Sequence, residues 1–263
     1  MDNNSIKKIS YSALKKWKEC PYKFYLNYVK DLKSFKGNEY TAFGTAIHEA
    51  CEACLGPSEE NDLNKVFLKS FKNQIKNLRE DEVDLDDNLL SNMESQAKPI
   101  CENVLPALKS YIPEFEVFSI EEEILEDIEQ FNSFGTSFKG FIDLVLKTPD
   151  GKYHIIDWKT CSWGWDSKKK SDPMINYQLT YYKIFLSKKH NIDLDDIETH
   201  FALLKRTAKQ NIVEFFRVSS GPKKIQNSLK VLENAVINIE NKNFIKNRLS
   251  CKYCDFYKTE HCK

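Results

Sequence analysis

The chain has 263 residues, of which 41% are hydrophobic and 13% aromatic, enough to bury a substantial core in one compact unit. Thirty-nine basic and thirty-nine acidic residues give a formal charge of zero, which excludes the uniformly basic surface of a protein that coats nucleic acid. No stretch reaches the roughly 18 consecutive apolar residues of a membrane span, and no leader-like apolar run opens the chain. We therefore expect a cytoplasmic protein.

Residues 1–112 are expected to form a helical N-terminal part of this single unit, 1–263. Apolar residues recur at helical spacing in three segments, which are 47–55, 63–78 and 89–108. Two prolines, Pro99 and Pro106, predict a kink or a division of the third helix.

From Phe115 onward the sequence changes to short segments rich in β-branched and aromatic residues. The predicted strands are residues 115–125, 137–147, 152–159, 198–205 and 211–218. A helix that starts with Asp172 as N-cap and Pro173 as its first residue separates the third strand from the fourth. This order predicts a mixed α/β core over 113–219, followed over 220–263 by a helix and a cysteine-rich tail.

Eight cysteines in a chain with no export signal are not expected to form structural disulfides. Ligation of a metal or cluster is then the alternative to simple burial. Cys51, Cys54 and Cys101 lie on apolar helical stripes, so we interpret them as small buried hydrophobic residues.

The strands over 137–147 and 152–159 form a predicted hairpin that carries acidic residues. A three-residue loop with Pro first and Gly in the left-handed position pairs residues 148 and 152. Counting back from that pair sets Asp143 opposite Asp157, roughly 5 Å apart at Cβ on one face. The two-residue period of a strand adds Lys159 to the same face.

Two carboxylates this close raise each other's pKa unless a cation lies between them. Magnesium or manganese suits such oxygen ligands, and Lys159 would orient a water molecule or stabilise charge on a phosphate. The alternative is an edge hairpin whose acids lie in water, bridged by Lys159. Apolar neighbours on both faces of the hairpin disfavour that alternative, because unpaired acids in a central sheet are costly.

These motifs resemble those of a known family. Gly140–Asp143 with Asp157–Thr160 resembles the split acid, acid-x-Lys signature of the PD-(D/E)XK nuclease superfamily. Three further segments are similar to elements of its RecB-like branch: Phe43–Glu49 to a Gly-x-x-x-His element, Gln178–Tyr182 to a Gln-x-x-x-Tyr element, and Ser10–Tyr25 to the opening of these proteins.

The resemblance implies a restriction-endonuclease-like mixed central sheet flanked by helices, with Mg²⁺ or Mn²⁺ as cofactor. It implies catalytic roles for Asp143, Asp157 and Lys159, and metal binding by His48 together with the two aspartates. The backbone carbonyl of Trp158 would join the metal. An acid on the preceding strand would assist, with Glu121 preferred and Glu122 and Glu123 nearly as good. DNA contacts are implied for Gln178 and Tyr182.

The tail resembles the C-terminal iron–sulfur segment of many RecB-like nucleases, whose fourth thiolate comes from an N-terminal Cys-Pro element. The implied ligands are Cys20, Cys251, Cys254 and Cys262, with His261 leaving the last of them less defined. Four thiolates suit a 4Fe-4S cluster, and they equally suit Zn²⁺. A site built from these four cysteines, which we call the cysteine clasp, would join both ends of the chain.

We therefore expect a DNA nuclease, an exonuclease on single-stranded or opened ends, with endonuclease activity left open. It resembles the CRISPR-associated RecB-like exonucleases and their phage relatives. The sequence has no Walker-type loop, so a helicase or another DNA-processing protein is the expected partner. One alternative is a non-catalytic iron–sulfur DNA-binding subunit of a recombination, replication or CRISPR-adaptation complex. A zinc-stabilised scaffold is the other.

Overall fold

A six-stranded mixed sheet forms the centre of the protein in the computed structural model, which describes residues 7–32, 35–56, 62–128 and 135–263. The strand order is β1-β3-β4-β5-β6, and β2 also pairs with β3. The strands are β1 (Lys8–Ser10), β2 (Glu116–Asp127), β3 (Ser137–Lys147), β4 (Tyr153–Cys161), β5 (Ile197–Lys205) and β6 (Val213–Arg217). Two pairs, β1 with β3 and β4 with β5, are parallel, and the other pairs are antiparallel. The predicted mixed α/β fold is confirmed.

Helices cover both faces of the sheet. The helices are α1 (Tyr11–Glu19), α2 (Pro21–Phe24), α3 (Glu39–Leu55), α4 (Leu63–Glu80), α5 (Asp87–Tyr111), α6 (Ser167–Lys170), α7 (Pro173–His190) and α8 (Pro222–Glu240). A core under α3, α4 and α5 packs on one face, and a second core under α1, α7 and α8 packs on the other. The sheet therefore holds its central strands β3 and β4 between two apolar layers.

Aspartates start several of these helices, as the sequence predicts for α7. Asp62, Asp86 and Asp172 each accept hydrogen bonds from backbone N–H groups of the first turn, groups that otherwise lack partners within the helix. The predicted division of α5 is wrong, because the helix continues through Pro99 and Pro106. Buried residues lie on both sides of the prolines, and their packing offsets the lost backbone hydrogen bonds.

The β3–β4 hairpin has the predicted register. Thr148 N–H donates to the Lys152 carbonyl over 2.9 Å, and the paired residues run from Lys147 opposite Tyr153 to Leu144 opposite Ile156. Just beyond that last pair the side-chain alternation of β3 breaks, since Ile142 and Val145 both contact the α7 and α8 layer. The break falls at Asp143, where the side chain leaves the regular ladder.

None of the helices in the described parts of the chain is both long and apolar enough to cross a membrane.

Candidate active site and metal centre

Asp157 and Asp143 lie side by side where the β3–β4 ladder ends. Asp157 is 1% exposed, and the Trp158 N–H donates to Asp143 Oδ2 over 2.7 Å. Burial and the neighbouring Asp157 carboxylate raise the pKa of Asp143 well above its ordinary value. The two acids thus form a buried like-charge pair, which a bound cation would stabilise in the ionised form.

Lys159 and Gln178 hold the Asp157 carboxylate from two sides. The Lys159 ammonium lies 2.5 Å from Asp157 Oδ2 and forms an ion pair with it. The Gln178 amide, on α7, donates to Asp157 Oδ1 over 2.8 Å. Asp157 is therefore fixed in orientation while its Oδ2 keeps free lone pairs.

His48 reaches the pair from α3, on the opposite side of the sheet from α7. Its Nδ1 lies 3.7 Å from Asp143 Oδ2, and the ring donates a hydrogen bond to the Trp158 backbone carbonyl. Burial lowers the pKa of His48 to about 4 against the opposing influence of Asp157. The imidazole is neutral near pH 7 and keeps a nitrogen lone pair, as a metal ligand must.

Of the three adjacent acids on β2, the structure brings Glu121 to this site. The register of β2 against β3 sets it beside Asp143, and its backbone adopts a left-handed φ of 49°. Glu122 instead contacts Lys189 and His190 at the end of α7, each at 2.7 Å. Glu123 pairs with Lys139 at 4.0 Å.

Sequence reasoning missed Glu52, one helical turn after His48 on α3. Its carboxyl group shares a hydrogen bond with Glu121. Burial and the Glu121 charge raise the pKa of Glu52 to about 7, so the pair shares a proton at neutral pH. The four-residue spacing from His48 places both residues on one helix face, and that spacing is the signal that would have identified it.

Gln178 and Tyr182, predicted to contact DNA, face the aspartates. Gln178 Nε2 also donates to the Tyr182 hydroxyl over 3.1 Å, and Tyr182 is 6% exposed. Tyr182 further packs where a Cβ on Gly140 would lie, at 2.9 Å, which explains the glycine that precedes the acidic segment of β3. The DNA contacts of both residues stay a prediction.

A groove of about 620 Å³ opens beside Lys159 and Gln178 and runs along α1 and α6. Tyr11 and Trp165 line it together with one acid, Glu19. Its basic residues are Lys15, Lys16, Lys23, Lys159 and Lys169. The protein has no net charge, so positive charge is concentrated locally next to the buried acids.

The four cysteines of the expected clasp line one small cavity that joins the two chain ends. Cys20 and Cys262 are each 8% exposed, and none of the four is in a disulfide. Backbone N–H of Asn247 donates to Cys20 Sγ over 3.3 Å. His261 lies outside this group, with its ring 3.5 Å from Glu260.

Cys51 and Cys101 are buried in the core under α3, α4 and α5, and Cys54 packs against that core. This confirms the prediction that these three cysteines act as small hydrophobic residues.

Comparison with known proteins identifies the family. The crystal structure of "Putative exonuclease" from Eubacterium rectale is 12% identical, with 96% of this chain and 89% of that chain covered and a TM-score of 0.60. That of SSO0001 is 15% identical, with 95% and 84% covered and a TM-score of 0.44. No curated protein matches. A family model of the PD-(D/E)XK nuclease superfamily matches residues 8–259, so the chain belongs to that superfamily.

Proposed function

We propose that the protein is a metal-dependent DNA nuclease of the RecB-like branch that hydrolyses phosphodiester bonds, acting as an exonuclease on single-stranded or opened DNA ends. One observation carries this proposal: two buried carboxylates, Asp143 and Asp157, lie side by side, and Lys159 forms an ion pair with Asp157. Two ionised acids buried this close are costly unless a further cation binds them. With a divalent cation this pair is the arrangement that phosphate chemistry requires.

The residues present fit Mg²⁺ or Mn²⁺. Asp143, Asp157 and the Trp158 carbonyl supply oxygen ligands, neutral His48 supplies a nitrogen, and Glu121 lies within reach of the same centre. A bound divalent ion supplies charge neutralisation of the phosphate and an acidified water molecule.

The protein's own side chains do the positioning. Gln178 fixes the rotation of Asp157 by its hydrogen bond to Oδ1, so that Oδ2 faces the centre. The Lys159 side chain is 27% exposed and lines the groove. Its ammonium contacts the buried acid and lies beside the groove, where a phosphate oxygen would acquire charge. The neutral imidazole of His48 adds no charge that would repel a cation.

The groove favours a single strand as substrate. It combines a row of lysines with two half-buried aromatic side chains, Tyr11 and Trp165, and single-strand grooves combine positive charge along the backbone with aromatic side chains. Gln178 lines the groove and contacts Asp157, so we infer that Gln178 and its partner Tyr182 join strand binding to the acids. Duplex ends would have to be opened by a helicase or another DNA-processing protein.

The double change Lys15→Gln with Lys169→Gln should weaken binding of single-stranded DNA by about tenfold at moderate salt and reduce the salt slope by about 1.4, since two phosphate contacts are lost. Fluorescence anisotropy of a labelled oligonucleotide in Ca²⁺, across salt concentrations, measures both. Lys72→Gln with Lys76→Gln removes equal charge from α4 in the other helical layer, and should change neither. Equal losses from both double variants would show that the groove is not the strand's path.

Linear and circular forms of one single strand test the exonuclease assignment. We expect mononucleotides or short products from the linear form and slow or no cleavage of the circle. Equal rates on both would assign an endonuclease and overturn this part of the proposal.

Metal binding should depend on pH through Glu52. Its pKa of about 7 means that a proton shared with Glu121 must leave before a cation can bind. Mn²⁺ binding is therefore expected to weaken as pH falls, with a Kd about ten times higher at pH 6 than at pH 8. Calorimetry in the absence of DNA measures this change, and Glu52→Gln should reduce it to the part that comes from Asp143, whose pKa is also raised. An unaltered pH dependence in Glu52→Gln would contradict the role of the shared proton.

We further propose that Cys20, Cys251, Cys254 and Cys262 bind a 4Fe-4S cluster. Four free thiols around one cavity support ligation. Four thiolates suit a 4Fe-4S cluster and tetrahedral Zn²⁺ equally, and the resemblance of the tail to the iron–sulfur segment of RecB-like nucleases favours the cluster. Zn²⁺ is the alternative that metal analysis decides.

A non-catalytic DNA-binding subunit is the alternative function, which the structure makes less favourable. Such a subunit would need the groove and the cysteines alone, yet His48, Asp143, Asp157 and Lys159 all meet at one point. Cleavage by the purified protein separates the two functions.

A further inference from the structure

Three side chains with metal-binding chemistry meet at the amino ends of the parallel strands β4 and β5. His154 pairs with Glu198, and Ile156 pairs with His200, so strand alternation places His154, Glu198 and His200 on one face of the sheet. That face is the one covered by α5. Asp157 points to the opposite face, nearer the carboxyl ends, so this cluster is separate from the catalytic centre.

The spacing of the ligand atoms fits a single ion. His154 Nδ1 lies 3.2 Å from His200 Nε2, and two imidazole nitrogens on tetrahedral zinc are about 3.3 Å apart. Glu198 Oε2 lies 4.0 Å from His200 Nε2, and the three ligand atoms all lie within 4.8 Å of one another. A small rotation of the Glu198 side chain would bring its Oε2 to the distance that a shared ion requires.

Each of the three side chains also contacts a polar partner through its other nitrogen or oxygen atom, as metal ligands do. The Tyr111 hydroxyl contacts His200 Nδ1 at 3.0 Å, and Thr148 Oγ1 contacts His154 Nε2 at 3.2 Å. Arg217 holds the other carboxylate oxygen, Oε1 of Glu198, at 3.1 Å. One ligand atom of each residue is thereby turned toward the shared space.

Burial and charge suit a cation that binds neutral nitrogen. His200 is 3% exposed and the Glu198 side chain 17% exposed. Burial lowers the pKa of both histidines, that of His200 to about 3, which favours the neutral imidazole that binds metal. The charge of Arg217 lowers the pKa of both histidines further. Glu198 is therefore the anionic ligand among the three.

We propose that His154, Glu198 and His200 form a structural site for a divalent transition metal of the zinc type, with water as the fourth ligand. The ion would join the β3–β4 turn at Thr148, the starts of β4 and β5, and the end of α5 at Tyr111. It would stabilise the end of the sheet remote from the catalytic acids. This site is separate from the proposed nuclease activity.

The test compares the full-length wild-type protein with the His154→Asn variant. Neither protein is stripped of metal beforehand. Wild type should bind one more Zn²⁺ per chain in competition with a chromophoric chelator, and Zn²⁺ should raise its Tm but not that of the variant. The catalytic acids and the cysteines are common to both proteins, so the difference reports this cluster alone. His190→Asn is the matched control, because His190 lies 2.7 Å from Glu122 without a second histidine, and it should behave as wild type.

Glu198→Gln provides a second variant should His154→Asn not fold, and it is expected to weaken zinc binding at least tenfold. Co²⁺ in place of Zn²⁺ should give visible absorption from nitrogen and oxygen ligands that disappears in either variant. Equal zinc stoichiometry and equal Tm shifts in wild type and variants would overturn the proposal and leave the two histidines as a hydrogen-bonded pair.

Discussion

Asp157→Asn should lower metal-dependent DNA cleavage by at least about a hundredfold, a rise in barrier on the order of 3 kcal/mol. The carboxylate is 1% exposed and is held by Gln178 and Lys159, so an amide of nearly the same shape keeps the packing but loses the charge. Calorimetry of the same variant should show weaker Mn²⁺ binding. Asp143→Asn and Lys159→Ala are expected to give losses of similar size.

Asp150→Asn is the control for this prediction. It also removes an acid from the β3–β4 hairpin, but Asp150 is exposed in the turn and bonds Thr148 instead. It should cleave at the wild-type rate. Undiminished cleavage by Asp157→Asn, with its fold verified by circular dichroism, would contradict the assignment of the site.

Cys20→Ser should remove bound iron and sulfide and lower Tm by about 6 °C, which for a chain of this size corresponds to on the order of 3 kcal/mol. Cys20 and the cavity tie the end of α1 to the C-terminal tail, a closure of more than two hundred residues. Protein purified without oxygen should be brown in the wild type and colourless in the variant. Iron, sulfide and zinc are measured by elemental analysis.

Cys51→Ser is the matched control, because Cys51 is buried in the helical core and not at the cavity. It should keep the colour and the iron and lose only a modest packing contribution. Zinc in place of iron would support metal binding by the four cysteines but contradict the 4Fe-4S assignment. Full metal content in Cys20→Ser together with loss in Cys51→Ser would show that the ligands are other cysteines.

Local chemistry explains why much of the fold and the acidic pair were predictable. The Pro-Asp-Gly loop fixes the hairpin register, and that register decides which acids face each other. The Asp172 cap marks the start of α7, and apolar spacing marks the other helices, before the structure is known. The cysteines lie at the two ends of the sequence and meet in one cavity, a proximity that only the resemblance to a family suggested.

Other features depend on contacts between distant segments. Glu52 meets Glu121 only because α3 packs beside β2, and an acid on a helix is otherwise a common surface residue. β1 has three residues, too few for the two-residue alternation of a strand to be recognised in the sequence. The zinc-type cluster depends on the parallel pairing of β4 with β5, which no local pattern encodes.

Cleavage of an end-labelled single strand by the purified protein, with Mn²⁺ and with excess EDTA, tests the central claim most directly. We expect cleavage that requires the divalent ion, because Asp143, Asp157 and His48 lie together and offer carboxylate and imidazole ligands for it. Cleavage that persists in EDTA would contradict it. So would complete inactivity with Mn²⁺ in a folded protein that binds the same strand tightly, since that result would assign a DNA-binding subunit without catalysis.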